Sequence, residues 1–186
     1  MEGQNDVRIA IHSLGCKLNQ AEQQKMAREF ESIGFVVVGP RDVADVYVIN
    51  TCTVTAEADR KVRQWLRSVR RRHPASLLVA TGCAIEHARN RLESLADLLI
   101  DNREKCDIVA RVVAHLHIRG STWSKGQSAA RPAPQQYGRT RSLVKIQEGC
   151  ATPCAYCIVP LVRGRETSVA AAEILDTVRE LIASGT

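Results

Sequence analysis

Short apolar runs alternate with longer amphipathic segments along the first two thirds of the chain. The apolar runs, rich in β-branched residues, predict strands at 7–12, 35–38, 43–50, 77–80 and 98–100. Helical spacing of apolar residues predicts helices at about 19–33, with Asn19 as its cap, at 55–73, with Thr55 as its cap, and at 86–95 and 104–116. Strands that alternate with helices form a parallel sheet covered by helices on both faces. The pattern therefore predicts an α/β domain over residues 1–118.

The pattern changes character after residue 118. Residues 119–142 are rich in Gly, Ser, Ala, Pro and Gln and show no periodicity, which predicts a linker. Beyond it, an apolar run at 143–146 predicts a strand, and residues 168–184 predict a helix. One strand, one loop and one helix cannot bury a core by themselves. Residues 143–186 are therefore interpreted as the incomplete beginning of a second domain.

Three cysteines are closely spaced in the loop of this second segment. Cys150, Cys154 and Cys157 follow the pattern C-x3-C-x2-C. Three thiolates can hold three irons of a cubic four-iron cluster, which leaves the fourth iron without a protein ligand. A structural zinc site would need a fourth ligand, and the nearest preceding histidine is His117. A disulfide would leave one cysteine unpaired. The spacing favours an iron–sulfur cluster over both alternatives.

Three further cysteines are far apart in sequence but occupy equivalent places in the predicted fold. Cys16, Cys52 and Cys83 each follow a predicted strand. The carboxyl ends of parallel strands share the edge where open α/β sheets bind ligands. Gly15 and Gly82 each precede a cysteine and would let the backbone approach a bulky group. The arrangement predicts a second cluster site, and the alternative is three buried free cysteines.

Positive charge is unevenly distributed along the chain. The net charge is +6, and the excess lies in the first 142 residues, because the remainder has four Lys and Arg against five Asp and Glu. One face of the predicted helix 55–73 carries Arg60, Lys61, Arg63, Arg67, Arg70, Arg71 and Arg72. This face is either a solvated helix surface or a surface that contacts the phosphates of RNA. No apolar run approaches the roughly 20 residues that cross a bilayer, so we expect a cytosolic protein.

The residues around both cysteine sets resemble the radical S-adenosylmethionine (radical SAM) methylthiotransferases. In the first domain the matching segments are 13–20 (SLGCKLNQ), 48–55 (VINTCTVT), 58–61 (ADRK) and 81–83 (TGC). In the second segment they are 145–150 (KIQEGC), 157–160 (CIVP) and 163–164 (RG). Tyr156 supplies the aromatic residue that is usual between the last two cysteines. Gly-Cys-Lys at the first site and Asn-Thr-Cys-Thr at the second resemble the branch that acts on N6-threonylcarbamoyladenosine in tRNA.

This resemblance implies a Rossmann-like first domain, then a linker and the first β/α unit of a radical SAM partial barrel. The C-x3-C-x2-C cysteines would hold a [4Fe-4S] cluster that binds S-adenosylmethionine, with Tyr156 in the same cofactor-binding loop. Cys16, Cys52 and Cys83 would hold a second [4Fe-4S] cluster that supplies or relays sulfur. The implied reaction inserts a methylthio group at C-2 of the modified adenosine, an unactivated C–H that calls for radical chemistry.

The resemblance also implies partners and leaves alternatives. The partners are tRNA and an electron donor such as flavodoxin or ferredoxin, in the cytoplasm. The family commonly has Tyr-Ala-Gln after the third cysteine, where this chain has Ala84-Ile85-Glu86. The later units of the family's barrel and its RNA-binding domain have no counterpart here, so the chain is interpreted as an N-terminal portion. The alternatives are a non-catalytic iron–sulfur or RNA-binding fragment, and a methylthiotransferase acting on a ribosomal protein or on isopentenyladenosine.

Overall fold

The computed structural model describes residues 7–52, 56–120 and 142–183. The main elements of the first domain are β1 (Arg8–Ser13), α1 (Lys17–Ser32), β2 (Val36–Val38), β3 (Val46–Thr51), α2 (Ala56–Arg72), β4 (Leu77–Gly82), α3 (Cys83–Ala88), β5 (Leu98–Ile100) and α4 (Ile108–Ile118). Short 3₁₀ turns follow α3 and precede α4. The predicted linker 119–142 lies almost wholly outside the described residues, and so does the predicted helix cap Thr55.

The five strands form one sheet in the order β2-β1-β3-β4-β5. Every neighbouring pair is parallel. The chain runs outward from β1 to β2 on one side of the sheet, and from β3 through β4 to β5 on the other. The strand order therefore reverses between β1 and β3, in the middle of the sheet. This topology confirms the α/β fold with a parallel sheet that the sequence predicts.

Helices cover both faces of this sheet. Phe30 of α1 and Val112 of α4 pack in one core, and Leu66 of α2 and Ile85 of α3 pack in the other. Because both faces are covered, every residue of β3 is buried, which explains why the central strands have continuous apolar sequences. None of the helices within the described ranges is long and apolar enough to cross a bilayer.

Two helices begin earlier than the sequence predicts, and each begins beside a cysteine. The N-cap of α1 is Cys16 rather than Asn19, whose side chain is turned to the neighbouring loops. Helix α3 begins at Cys83, because Gly82 has a φ of +99° and turns the end of β4 directly into the helix. The helix predicted at 86–95 therefore begins earlier, at Cys83, and has only 6 residues. The predicted helix 104–116 opens as a 3₁₀ turn before α4.

The second segment contains β6 (Gln147–Glu148), α5 (Val159–Arg163), β7 (Thr167–Ser168) and α6 (Ala171–Ala183). The predicted strand at 143–146 is wrong, because the only sheet pairing of the described second segment is the short antiparallel pair of β6 with β7. The backbone before β6 lies against α1 instead, where the N–H of Leu143 donates to Oε1 of Gln24. The predicted helix 168–184 is present as α6. The structure does not show a β/α unit of a barrel here.

Candidate metal centre at the carboxyl edge of the sheet

Cys16, Cys52 and Cys83 lie where the sequence places them, at the carboxyl ends of strands. They follow β1, β3 and β4, which are adjacent in the sheet. Their loops flank the point where the strand order reverses, the usual ligand site of open α/β sheets. Cys52 and Cys83 are buried, and Cys16 is exposed. The fold therefore brings three loops, each with one cysteine, to one edge.

Glycines allow these three loops to touch. Gly15 has a φ of +131°, and a Cβ at this position would overlap the side chain of Cys52. Gly82 has a φ of +99°, and its Cβ would lie 2.5 Å from the carbonyl oxygen of Thr51. Real Cβ atoms do not approach other atoms so closely. The close approach between the loops thus depends on both glycines, as the sequence predicts.

Two buried asparagines bind the loops to each other. Asn19 donates from Nδ2 to the carbonyl oxygens of Thr51 (2.8 Å) and Leu14 (3.4 Å), and its Oδ1 accepts from the Cys16 thiol at 3.3 Å. Asn50 donates from Nδ2 to the carbonyl oxygen of Asn19 at 3.1 Å. Both asparagines are fully buried. From sequence, Asn19 is predicted to cap a helix and Asn50 to end a strand, and no local pattern indicates that the two share a role.

A cluster of charged side chains, buried at its centre, lies next to these loops. Glu22 accepts hydrogen bonds from Lys105 (2.8 Å), Arg163 (2.9 Å) and Lys145 (3.2 Å). Glu148 also pairs with Arg163, at 2.8 Å, and with Lys145. These five residues, called here the Glu22 network, carry three positive and two negative charges. The side chains of Glu22 and Arg163 are only 5% and 4% exposed, so water screens their charges weakly.

The Glu22 network fixes the charge state of its central carboxylate. Burial alone would raise the pKa of Glu22, but the charges and hydrogen bonds of Lys105 and Arg163 outweigh it and hold the pKa well below its ordinary value. Glu22 is therefore ionised at neutral pH. Local sequence patterns gave no signal for this network, since its members come from α1, the turn before α4, and the second segment.

The Cys83 thiol faces this positive region. Burial raises its pKa, whereas Arg163, Asn102 and Lys105 act in the opposite direction. Nδ2 of Asn102 lies 3.8 Å from Cys83 Sγ. Metal ligation requires the thiolate, and nearby positive charge favours that form. Burial outweighs these groups and leaves the pKa of Cys83 above its ordinary value, so a metal that binds here must displace the thiol proton.

The donor set and its setting fit an iron–sulfur cluster. Three cysteines share one edge, two glycines keep the loops close, and the Glu22 network supplies a net positive charge against an anionic cluster. In the part of the chain that the structure describes, no three His, Cys, Asp or Glu side chains already form a group that could hold a metal ion. Binding by these cysteines therefore requires their side chains to turn toward one another.

The C-x3-C-x2-C loop connects β6 to α5. Cys150, Cys154 and Cys157 are half-buried free thiols. The loop is tied at its base, because the N–H of Cys150 donates to the carbonyl oxygen of Gly164 at 3.2 Å, and in its last turn, where the N–H of Cys157 donates to Cys154 at 3.1 Å. Tyr156 is 92% exposed. The cysteines of this loop and Tyr156 are thus accessible to a cofactor.

The basic face of α2 is partly neutralised, contrary to the sequence interpretation. Lys61 pairs with Glu57, Arg63 with Asp59, and Arg70 with Asp97. The acidic residues at 57 and 59 stand four positions before their partners, so helical spacing could have predicted two of these pairs. Three of the seven basic residues of this face therefore already have an anionic partner within the protein.

Four exposed arginines of α2 form no ion pair within the described residues: Arg72, whose Nε donates to the carbonyl oxygen of Ser68, and three that share one side of the helix. Arg60, Arg67 and Arg71 are exposed, and within the described residues none of them forms an ion pair. Their spacing puts them on one side of the helix. They line a groove of about 600 Å³ between α2 and Ser94–Leu95. We call these three residues the arginine stripe.

Cys106, His12 and His73 have ordinary surroundings. Cys106 lies in the exposed turn before α4 rather than inside the helix, and its thiol donates to the carbonyl oxygen of Arg103 at 3.6 Å. His12 stacks on Trp65, and His73 stacks on Tyr47. Burial lowers the pKa of His12, as expected for a half-buried imidazole.

Comparison with known proteins identifies the first domain. Residues 8–101 match the family described as "Uncharacterized protein family UPF0004", which covers β1 to β5 and all three N-terminal cysteines. This chain belongs to that family. The UPF0004 chain is also 33% identical to the threonylcarbamoyladenosine tRNA methylthiotransferase MtaB of Aquifex aeolicus (strain VF5), over 96% of this chain and 46% of that protein.

Other curated relatives have related names. The MtaB of Bacillus subtilis (strain 168) is 30% identical, over 95% of this chain and 41% of that protein. The tRNA-2-methylthio-N(6)-dimethylallyladenosine synthase of Clostridium novyi (strain NT) is 28% identical, over 96% of this chain and 42% of that protein. The UPF0004 chain thus spans less than half the length of these relatives and corresponds to their N-terminal portion. The methylthiotransferase resemblance is confirmed.

Proposed function

We propose that this chain is the N-terminal portion of a tRNA methylthiotransferase, which inserts a methylthio group at C-2 of N6-threonylcarbamoyladenosine by radical SAM chemistry. The observation that carries the proposal is that the loops carrying Cys16, Cys52 and Cys83 lie together at the reversal point of the UPF0004 sheet. The similarity to tRNA methylthiotransferases over nearly the whole chain supports it. A site built only for packing would not need three cysteine loops at the ligand-binding edge.

In this proposal the two cysteine sets hold separate [4Fe-4S] clusters. The C-x3-C-x2-C loop, with Tyr156, binds the cluster that takes S-adenosylmethionine and, when loaded, supplies the radical that activates an unreactive C–H. Cys16, Cys52 and Cys83 hold the second cluster, which supplies sulfur. Asn19 and Asn50 hold the Cys16 and Cys52 loops together, and the Glu22 network places positive charge beside them. A flavodoxin or ferredoxin in the cytoplasm would provide electrons.

The choice of threonylcarbamoyladenosine rests on two local motifs. Gly-Cys-Lys at residues 15–17 and Asn-Thr-Cys-Thr at 50–53 resemble the threonylcarbamoyladenosine branch. The relatives named for that nucleoside are 33% and 30% identical, and the dimethylallyladenosine synthase is 28% identical. The motifs and the identities together support this substrate branch as part of the proposal.

Nucleoside mass spectrometry tests the proposed function. A strain that lacks the gene for this protein should lose 2-methylthio-N6-threonylcarbamoyladenosine from its tRNA and accumulate the unmethylthiolated nucleoside. Expression of the intact gene should restore the product, and expression of a Cys16→Ala form should not. Persistence of the product in the deletion strain would contradict the proposal. Loss of 2-methylthio-isopentenyladenosine, or of a ribosomal-protein modification, would instead assign the alternative substrate.

The arginine stripe is proposed to contact tRNA phosphates. Replacing Arg60, Arg67 and Arg71 together by Gln should weaken tRNA binding. It should also reduce the magnitude of the slope of log affinity against log salt by about 2 to 3, because fewer phosphates are neutralised and fewer counterions are released on binding. Fluorescence anisotropy with an unmodified tRNA transcript measures both quantities. The matched control replaces Arg8, Arg41 and Arg119, three exposed arginines outside α2. Equal slopes for the two triple variants would show that only net charge matters.

A further inference from the structure

Arg163 belongs to the second segment but is buried among residues of the first domain. It ends α5, six positions after Cys157. Its side chain is only 4% exposed. Nη2 donates to Oδ1 of Asn19 at 2.8 Å, and Nη1 donates to Glu22 at 2.9 Å and to Glu148 at 2.8 Å. One guanidinium thus joins α1 to β6, and it also binds the asparagine that accepts from the Cys16 thiol.

The rest of α5 docks on the same edge. Val162 is 4% exposed, and its carbonyl oxygen accepts a hydrogen bond from Nδ2 of Asn102 at 2.6 Å. The same amide nitrogen lies 3.8 Å from Cys83 Sγ. The N–H of Cys150 donates to Gly164, directly after Arg163. The base of the C-x3-C-x2-C loop therefore lies close to the N-terminal cysteines, because one side chain, Asn102, contacts both Val162 and Cys83.

The shape of arginine suits this place. Its planar guanidinium presents several N–H donors in fixed directions, so it can serve an amide oxygen and two carboxylates at once. Lysine has one ammonium group and cannot reach three acceptors in the same plane. The Glu22 network carries one more positive than negative charge, and Arg163 is one of its two cations that act on Cys83.

We propose that Arg163 is a positioning residue that holds the C-x3-C-x2-C loop against the edge formed by Cys16, Cys52 and Cys83 and places a positive charge beside a cluster bound at that edge. The part that concerns a cluster rests on the proposed function. A fixed positive charge stabilises the more negative, reduced form of an iron–sulfur cluster and so raises its reduction potential. One side chain thus holds the loop of one cysteine set in place and supplies a positive charge beside the other set.

The electrostatic role is tested by the potential of the N-terminal cluster alone. Cys150, Cys154 and Cys157 are replaced by Ala in the full chain, which is then reconstituted with iron and sulfide and titrated under EPR detection. Arg163→Gln should lower the midpoint potential, and Arg163→Lys should lower it less. Arg165→Gln removes the same charge from an exposed neighbour and should leave the potential unchanged. Identical potentials for Arg163→Gln and Arg165→Gln would overturn the electrostatic role.

The positioning role is tested without iron. Hydrogen exchange of the cluster-free full chain should show faster exchange at the amides of Cys150 and Val169 in Arg163→Gln, with β1, β3 and β4 unchanged. Those amides bond to Gly164 and Ile146, within the docked segment. Unchanged exchange at both amides would overturn the positioning role. If the wild-type chain binds no iron on reconstitution, the proposed function is contradicted instead. The hydrogen-exchange result does not depend on iron, so it still reports whether Arg163 docks the loop.

Discussion

Glu22→Gln is expected to lower the free energy of unfolding by about 3 to 5 kcal/mol, because it removes the anionic partner of buried cations. Glu22 is 5% exposed and accepts from Lys105 and Arg163 at 2.8 and 2.9 Å. The neutral amide leaves both positive charges buried with less compensation. Urea denaturation measures the change. Glu173→Gln is the matched control: its pair with Lys25 is 55% exposed on both sides, so its loss should cost less than about 1 kcal/mol.

The cost of Glu22→Gln should depend on pH in a defined direction. The pKa of Glu22 in the folded protein lies below its ordinary 4.5, so the unfolded chain takes up a proton first as the pH falls. The stability that the carboxylate contributes is complete above the unfolded pKa and is lost progressively below it. The difference between wild type and variant should therefore shrink from about pH 6 to about pH 3. A difference that stays constant over this range would contradict the ionised network.

Gly82→Ala is expected to have the second large effect, a loss of about 3 kcal/mol or more. The residue combines a φ of +99° with contacts that cannot yield, since its Cβ would lie 2.5 Å from the carbonyl oxygen of Thr51 and 2.9 Å from its nitrogen. Both atoms belong to the backbone of β3 in the centre of the sheet. Backbone strain and overpacking each cost about 1 to 3 kcal/mol. The new methyl group would also displace the loop of Cys52 from that of Cys83.

Gly120→Ala separates the two costs of that substitution. Gly120 also has a positive φ, +80°, but none of the described atoms lies within 4 Å of its Cβ position. Its substitution should cost only the backbone strain, about 1 to 2 kcal/mol. Thermal or urea unfolding of both variants gives the comparison. If Gly82→Ala costs no more than Gly120→Ala, the close approach between the cysteine loops is not a structural requirement.

The sequence predicts the sheet and the placement of the N-terminal cysteines because both depend on local patterns. Apolar runs alternate with amphipathic segments, and a cysteine follows each of three runs. Parallel strands then bring those cysteines to one edge by geometry alone. No contact between distant residues is needed for this inference, which is why it agrees with the structure.

The same local patterns could not predict the residues that organise the site. Arg163 bonds to Asn19 across 144 positions and to Glu22 across 141, and no periodicity encodes such a pair. Asn19 has a residue type common at helix caps, yet its side chain serves a tertiary contact instead. The strand predicted at 143–146 fails for a related reason: an apolar run indicates a strand only if a partner strand lies beside it.

Iron and sulfide analysis with Mössbauer spectroscopy tests most directly whether the chain carries two separate cluster sites. The full chain and its Cys16/Cys52/Cys83 triple-alanine variant are each reconstituted anaerobically and measured in parallel. The proposed ligand sets predict about eight irons per chain, as two four-iron clusters, and about four in the variant. An iron content of about four in both proteins would mean that the N-terminal cysteines are packing residues, and the account of the sheet edge as a metal centre would be wrong.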